Sequence, residues 1–384
     1  MLIYSKELLY ISKKQSPVEI IGALPNTSMN NFNFMKRGNE IFAIASSSPT
    51  NNSQAVQTAD FIYKTTDFKN WQGSGIGSMI TRYDEQADSF FAVTLGGDTT
   101  NNLFSYHITK INPDNFSYKT TTILSNMAYG SHSRGISPIQ RVGTYLMLYY
   151  YRDHTNTYVC YSSDNGETWK SSKLCSISGL GVGGSTETLV GNGTKAIAYG
   201  YVTSSSSYST KCFSSPTSSV NSSTTCRTGD RPTHTSNNNI FTATVTNNVP
   251  YLKLTSNLTS DTTSIVAPTG LIKTSSNCYF YDHYVFITYY GSYSASSTIP
   301  DYFGKIVVYD FNSQQWYLFD LGLQLYYSTG SGKYVYNYAT IRRIMGIIDG
   351  NVYVQWHTSS GDKGQIVRVH ADYILESMQL YTAS

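Results

Sequence analysis

One short segment, SSDNGETW at residues 162–169, holds the residue types that carboxylate chemistry requires. Asp164 could serve as a general acid or base, as Asp and Glu do in many hydrolases. A carboxylate at the start of a tight turn can instead accept hydrogen bonds from the backbone amides that follow it. Gly166 suits this second role because glycine adopts a positive φ at no steric cost, and Trp169 could then cover the turn. The segment therefore favours a structural role for Asp164 over a catalytic one.

The other reactive side chains show no spacing typical of a metal site or a catalytic triad. The 7 histidines are scattered, and the 5 cysteines include no CxxC pair. No Ser-His-Asp or Cys-His arrangement stands out. We therefore predict no metal and no cofactor. The cysteines are expected to be buried free thiols, with a Cys212–Cys226 disulfide as the alternative.

The composition predicts an all-β fold. Charged residues make up only 13% of the chain, whereas tyrosine occurs 34 times. Tyr and Thr favour half-buried pleated surfaces, and the one segment that indicates a helix is Ala371–Leu380. A net charge of +3 without a Lys/Arg cluster argues against nucleic acid as a partner. No apolar run is long enough to span a membrane, and the first residues do not resemble a signal peptide.

Apolar, strand-like runs recur about every 50 residues, a period typical of β-propeller blades. A polar turn precedes each run, which indicates a hairpin. We therefore predict a single domain over residues 1–384, a seven-bladed propeller of four-stranded antiparallel blades. Residues from 1 to about 28 would add the last strand to the C-terminal blade. Six blades, or a β-sandwich or solenoid, remain alternatives. The runs begin at Ile41, Phe90, Tyr145, Ala196, Ile240, Tyr284 and Val352.

Further turns resemble SSDNGETW at the same phase of the repeat. TTDFKNW keeps Asp67 but lacks the glycine, VYDFNSQQW is looser around Asp310, and KINPDNF keeps a polar turn before an aromatic residue. The full pattern at 162–169 resembles the Asp-box, or BNR repeat, of sialidase-like β-propellers. In that family these turns link the outer strands of a blade, away from the catalytic centre. The resemblance implies structural roles for Ser162, Asp164, Gly166, Trp169, Asp67, Trp71, Asp310 and Trp316.

The resemblance also implies where a sialidase-type site would lie if the chain is an enzyme. Sialidases use three arginines to clamp a carboxylate, a Tyr–Glu nucleophile pair and an aspartate acid/base. In the family's order, the implied catalytic residues are Arg134, Arg152, Asp153 and Glu187.

The sequence departs from the sialidase pattern in several places. Arg134 is followed by GISP rather than by Ile-Pro, and the strand after Glu187 ends without an arginine. The nucleophilic tyrosine is not fixed by the pattern, although Tyr327 is one suggestion. Arg342 or Arg343 could be the third clamp arginine. These departures favour a protein without catalytic activity.

A surface poor in charge and rich in Ser, Thr, Asn and Tyr also resembles bacteriophage tail proteins, among which propeller-built nozzles and host-recognition proteins occur. This resemblance implies a non-catalytic virion protein, assembled in the host cytoplasm. It would form a ring homo-oligomer and bind other tail proteins, with a cell-surface glycan as a further partner. The alternatives are a sialidase-type or other exo-acting glycoside hydrolase and a lectin-like adhesin. A secreted or cell-surface location is the alternative to the virion.

Overall fold

A computed structural model describes most of the repeat. It covers residues 17–25, 32–45, 62–76, 80–98, 103–128, 136–153, 156–176, 188–191, 196–202, 207–213, 215, 234–236, 239–246, 249–255, 263–267, 277–288, 305–322, 341–356 and 364–381. Within these ranges the chain forms 28 β-strands and one α-helix, so the all-β prediction is confirmed.

The strands of the first half are short and follow one another closely. They are β1 (Val18–Ala23), β2 (Phe32–Arg37), β3 (Glu40–Ala45), β4 (Ile62–Thr65), β5 (Gln72–Gly73), β6 (Ile80–Asp84), β7 (Ser89–Asp98), β8 (Leu103–Ile111), β9 (Tyr118–Ala128), β10 (Gln140–Val142), β11 (Tyr145–Asp153), β12 (Asn156–Ser162) and β13 (Lys170–Ser176).

The second half continues the same pattern and contains the helix. Its elements are β14 (Thr188–Gly191), β15 (Ala196–Val202), β16 (Ser207–Phe213), β17 (His234–Ser236), β18 (Asn239–Thr246), β19 (Val249–Thr255), β20 (Thr263–Val266), β21 (Asn277–Tyr281), β22 (Tyr284–Thr288), β23 (Ile306–Asp310), β24 (Gln315–Phe319), β25 (Ile341–Ile348), β26 (Asn351–Trp356), β27 (Gln365–His370), α1 (Ala371–Ser377) and β28 (Gln379–Leu380).

These strands form seven sheets within the described residues, each built from consecutive strands except that β28 is added to one sheet and β1 to another. We name them sheet I (β2–β5), II (β6–β9), III (β10–β13), IV (β14–β16), V (β17–β20), VI (β21–β24 with β28) and VII (β25–β27 with β1). Successive antiparallel sheets, most of them four-stranded, are the blades of a β-propeller, and the predicted fold class is confirmed. The number of blades in a closed ring stays a prediction.

The chain divides into two compact units. The larger comprises residues 29–65 and 71–278, and the smaller comprises 1–28, 66–70 and 279–384. Sheets I to III and their connections lie in the larger unit, apart from the turn at 66–70. The smaller unit holds sheet VII and, from Tyr279 onward, sheet VI. That residues 1–384 form one domain stays a prediction.

The N-terminal strand belongs to the last sheet. β1 runs antiparallel to β27, with Val18 opposite Val369 and Ala23 opposite Gln365. The register shifts between Ile20 and Gly22. Sheet VII therefore has four strands, and its outer strand comes from the opposite end of the sequence.

The seven apolar runs identified in the sequence are the second strands of the seven sheets: β3, β7, β11, β15, β18, β22 and β26. Where side chains are described, these strands are buried along continuous stretches, such as Phe90–Val93 and Leu146–Tyr150. Continuous burial means that both faces of the strand are covered, which explains why the sequence runs are apolar throughout and do not alternate. The buried stretches therefore recur with the same period as the sequence repeat.

The predicted helix is shorter than its sequence pattern suggested. α1 ends at Ser377, and Gln379–Leu380 forms β28 rather than a last helical turn. Leu380 pairs with Tyr317 and Gln379 with Leu318 of β24, so backbone pairing replaces the helical bonds. The seven residues of α1 are far fewer than the roughly 20 needed to cross a bilayer, and no other helix in the described ranges could do so.

Two cysteines are in the state that the sequence predicted. Cys160 and Cys278 are buried free thiols. Burial raises the pKa of each thiol to about 12, so neither is a reactive thiolate at neutral pH. The predicted alternative of a Cys212–Cys226 disulfide involves residue 226, which lies outside the described residues.

Candidate functional site

The turn between β12 and β13 holds Asp164, the carboxylate of the SSDNGETW segment. Asp164 Oδ1 accepts hydrogen bonds from the Thr168 backbone amide at 2.9 Å and from Ser162 Oγ at 2.7 Å. Asp164 Oδ2 accepts a 2.5 Å bond from Thr168 Oγ1. The Ser162 hydroxyl also accepts the backbone amide of Gly166 at 2.7 Å. Both carboxylate oxygens of Asp164 are therefore occupied inside the turn.

This bonding also fixes the charge state of Asp164. Hydrogen bonds from the Thr168 hydroxyl and backbone amide, and from Ser162, hold the pKa of Asp164 well below its ordinary value. A general acid must hold a proton near the working pH, and an aspartate in this state does not. The side chain of Asp164 is thus suited to closing the turn.

The turn of residues 162–169 packs against the preceding sheet, sheet II, in the larger unit. Gly166 has a φ of +84°, and a Cβ at this position would lie 2.3 Å from Cε1 of Phe91 on β7. Trp169, which follows the turn, meets the same Phe91 ring edge to face, with ring centroids 6.1 Å apart. Gly166 therefore allows both the positive φ of the turn and the close approach of sheet III to sheet II.

Charged groups surround this contact on both sheets. Lys110 on β8 donates to the backbone oxygen of Asn165 at 2.9 Å and to Glu167 Oε1 at 2.6 Å. Arg141 on β10 binds both oxygens of Asp84 on β6, at 2.8 and 2.6 Å, and donates to Asn165 Oδ1 at 2.9 Å. We call the set Phe91, Lys110, Arg141 and the 162–169 turn the II–III latch.

Replacing Asp164 with alanine should destabilise the fold. Losing three charge-assisted hydrogen bonds at an exposed turn is expected to lower the free energy of unfolding by about 1–2 kcal/mol, as the loss of a capping side chain does. Chemical denaturation of Asp164→Ala measures this change. Asp164→Asn keeps one acceptor oxygen and should lose less. An unchanged free energy of unfolding in Asp164→Ala would contradict the structural role.

A related contact joins sheets I and II. In the KINPDNF turn, Asn112 Oδ1 accepts the Asp114 backbone amide at 2.8 Å, and Phe116 takes a left-handed φ of +58°. Phe116 packs edge to face on Phe42 of β3, with centroids 6.4 Å apart. Lys64 of β4 donates to the Asp114 backbone oxygen at 2.7 Å. A third-to-fourth-strand turn thus again rests on the second and third strands of the preceding sheet.

Arg37 completes the contact between sheets I and II. Its guanidinium binds both oxygens of Asp88 at 2.6 and 2.7 Å and Asp114 Oδ1 at 2.6 Å. Arg37 is the main reason that the pKa of Asp88 is lowered to about 2, followed by the hydrogen bond from Tyr83. Burial, together with Asp88, raises the pKa of Tyr83 to about 12. Near neutral pH, Asp88 therefore stays charged and Tyr83 stays protonated.

The lowered pKa of Asp88 predicts a pH dependence of stability. A depressed carboxylate pKa adds stability that is complete above the unfolded pKa of about 3.9 and is lost as the pH falls towards about 2. Wild-type protein should therefore exceed Asp88→Asn in stability at pH 5–7, by less than about 1 kcal/mol because the pair is half exposed. The difference should vanish near pH 2. Urea titrations at several pH values measure it, and a constant difference across this window would contradict the assignment.

The turn at Asp67 repeats the bonding in the smaller unit. Asp67 Oδ1 accepts the backbone amides of Lys69 at 2.9 Å and Asn70 at 2.8 Å. Phe68, with a φ of +59°, stacks on Tyr353 of β26 at a centroid distance of 5.3 Å. A Cβ on Gly22 would lie 2.0 Å from the Phe68 backbone oxygen, so only glycine fits in β1 at this point. Trp71, which ends the motif, packs on Phe34 at 6.1 Å.

Asp310 ties the corresponding turn of sheet VI. Its Oδ1 accepts the Asn312 amide at 2.8 Å, and its Oδ2 accepts the Ser313 hydroxyl at 2.6 Å. Burial raises the pKa of Asp310, but these bonds and the nearby His283 outweigh it, and the net pKa is lowered. Trp316 is buried against Tyr309, with ring centroids 4.7 Å apart. All three aspartates of the motif therefore bind groups of their own turns.

The described structure does not test whether the residues implied for sialidase chemistry lie together. Arg134 and Glu187 lie outside the described residues. Arg152 and Asp153 are the last two residues of β11, and their side chains are not among those described. Tyr327 also lies outside, and Arg343 is half-buried on β25. The proposed clamp and nucleophile stay predictions.

The charged residues of the sheet contacts were not predicted from the sequence. Arg37, Lys64, Lys110 and Arg141 each look like an isolated surface charge, because their partners lie tens of residues away. A usable signal was present, since Lys64 and Lys110 occupy third strands of successive repeats.

Within the described ranges, no group of three or more His, Cys, Asp and Glu residues could hold a metal ion.

Comparison with known proteins finds similarity to solved structures and to nothing else. No family model matches the chain, and no curated protein matches it. The β-propeller domain of the Trilobed protease from Pyrococcus furiosus has 8% identity and a TM-score of 0.47, covering 92% of this chain and 98% of the other. An α-L-arabinofuranosidase from Fusarium graminearum has 9% identity and a TM-score of 0.44, covering 93% and 98%. Both TM-scores lie below 0.5, and neither similarity bears on the activity of this chain.

Proposed function

We propose that this chain is a non-catalytic structural and interaction protein of a virus particle. Within that class we propose a bacteriophage tail component, either a tail nozzle or a host-recognition part. It would assemble in the host cytoplasm, form a ring homo-oligomer and bind other tail proteins through its loops. The propeller supplies a rigid body for this role, and catalysis plays no part in it.

One observation carries the proposal: several charged side chains of sheets I to III hold neighbouring sheets together. Five ion pairs between described residues connect one sheet to the next. In a chain with only 13% charged residues, this use of charge favours a rigid scaffold. Three aspartates have a sequence context that resembles an active site: Asp67, Asp164 and Asp310. Each of them binds groups of its own turn. The hydrogen bonds of these aspartates stabilise the turns of the fold.

We further propose that the 162–169 turn is an Asp-box and that the propeller is of the sialidase-like type. The full Ser-x-Asp-x-Gly-x-Thr-Trp pattern supports this assignment. The bonding of Asp164 and the packing of Trp169 on the preceding sheet support it as well. A sialidase-like scaffold suits a protein that binds and assembles.

The assembly proposal is tested by the mass of the purified chain in solution and by its particle images. Sedimentation and electron microscopy should show a ring of several copies. A particle that stays monomeric at all concentrations, alone and with tail proteins of the same virus, would overturn the proposal.

A glycosidase assay separates the enzymatic alternative from the proposed role. The proposal expects no turnover of fluorogenic sialosides or of other exo-glycosidase substrates. Turnover that Glu187→Ala abolishes would establish the hydrolase and refute the non-catalytic role. Asp164→Asn is the matched control, because it alters a carboxylate of the turn and should leave any such turnover intact.

A further inference from the structure

A cleft in the smaller unit lies beside the C-terminal helix. It is lined by Leu318 and Phe319 of β24, by residues of α1 and β28, and by Lys305, which directly precedes β23. The volume is about 390 Å³, within the range of small-molecule pockets. None of the sequence-predicted site residues lines it.

The lining of this cleft combines polar tips with aromatic rings. Six of its nine side chains end in a polar group: Lys305, Asp320, Tyr373, Ser377, Gln379 and Tyr381. Tyr373 is 36% exposed and Leu380 is 52% exposed, although both are large side chains. They are two of the five large hydrophobic side chains that are most exposed among the described residues. The cleft therefore presents polar groups beside partly exposed apolar surface.

The cleft is held in shape by its supporting elements. Tyr373 rests edge to face on buried Phe319, with ring centroids 5.9 Å apart. β28 pairs with β24, and the Tyr381 amide donates to the Trp316 backbone oxygen at 2.8 Å. Ile374 anchors α1 in the core of the unit. A ligand would therefore meet a site that is formed in advance, which reduces the entropy cost of binding.

We propose that this cleft binds a neutral saccharide of one or two units. The partly exposed rings of Tyr373 and Tyr381 suit the C–H faces of a sugar ring, which are apolar, while Asp320, Ser377 and Gln379 suit its hydroxyl groups. Lys305 and Asp320 contribute one charge of each sign, so the lining has no excess of either sign for an ionic ligand. This inference is independent of the assembly proposed above.

The test uses the full chain on an array of neutral and sialylated glycans. The strongest neutral binder is then titrated against variants by calorimetry. Tyr373→Ala should weaken binding roughly tenfold, the effect of losing one stacking ring. Gln379→Ala, on an exposed position of β28 that keeps its backbone pairing, should also weaken it. Tyr118→Ala is the control, because Tyr118 is 64% exposed on another sheet.

Each result of this test decides the proposal. Saturable binding of a neutral glycan that Tyr373→Ala and Gln379→Ala weaken and Tyr118→Ala leaves intact supports it. Absence of binding to every neutral glycan, binding of sialylated glycans alone, neutral binding that Tyr373→Ala and Gln379→Ala leave unchanged, or equal loss in Tyr118→Ala overturns it. Sedimentation of the same samples reports the ring separately, so failure of the glycan site and failure of the assembly are distinguishable.

Discussion

Gly166→Ala should lower the free energy of unfolding by about 2–5 kcal/mol, from the sum of two effects. An L-residue at φ +84° pays about 1–2 kcal/mol for the left-handed backbone. The new Cβ would also lie 2.3 Å from the Phe91 ring, which is 1% exposed and enclosed by its neighbours. Repacking such a contact costs about 1–3 kcal/mol. Urea denaturation of the two proteins measures the loss.

Gly143→Ala is the matched control for this prediction. Gly143 also has a positive φ, +58°, but a Cβ there would have no atom within 4 Å. It should therefore lose about 1 kcal/mol, from the backbone alone. In a Phe91→Leu background, Gly166→Ala should cost less than in the wild type, because the clash is relieved. Equal losses in the two glycine variants would show that the Phe91 contact is not tight.

Arg141→Met should lower the free energy of unfolding by about 2–4 kcal/mol, because it leaves Asp84 charged and largely buried without its guanidinium. The two side chains are each 12% exposed and joined by two hydrogen bonds. Methionine keeps the apolar stem, so the loss reports the missing charge. Thermal unfolding and urea denaturation both measure it.

Lys119→Met is the control for the effect of charge at the same contact between sheets II and III. Lys119 pairs with Glu167 at 3.3 Å, but the two side chains are 63% and 54% exposed. Exposed ion pairs contribute roughly 0–1 kcal/mol, so this variant should stay close to the wild type. If Lys119→Met and Arg141→Met were equally destabilised, burial would not be what makes the Arg141–Asp84 pair important.

The second strands of the sheets were predictable because burial on both faces imposes a local sequence signature. Runs such as the one from Phe90 are apolar at every position, and that signature survives without knowledge of the neighbours. The turns at Asp67, Asp164 and Asp310 were predictable for a similar reason. Their hydrogen bonds span at most four residues, so the sequence contains both partners.

The contacts between sheets could not be predicted in the same way. Arg37 and Asp88 are 51 residues apart, and Arg141 and Asp84 are 57 apart. Their pairing depends on how neighbouring sheets pack, which no local pattern encodes. The end of α1 was missed for the same reason, since the backbone pairing of β28 with β24 competes with one more helical turn. The proposed saccharide cleft likewise gathers residues from β24, α1 and β28 and from the segments next to them.

The central claim, that Asp164 serves the turn and not a reaction, is tested most directly by hydrogen exchange at the Gly166 amide. This amide is buried and donates to Ser162 Oγ, which in turn donates to Asp164. We predict slow exchange in the native protein and much faster exchange in Asp164→Ala, because the serine hydroxyl loses its fixed partner. Exchange of the wild-type Gly166 amide as fast as that of an unstructured peptide would contradict the claim.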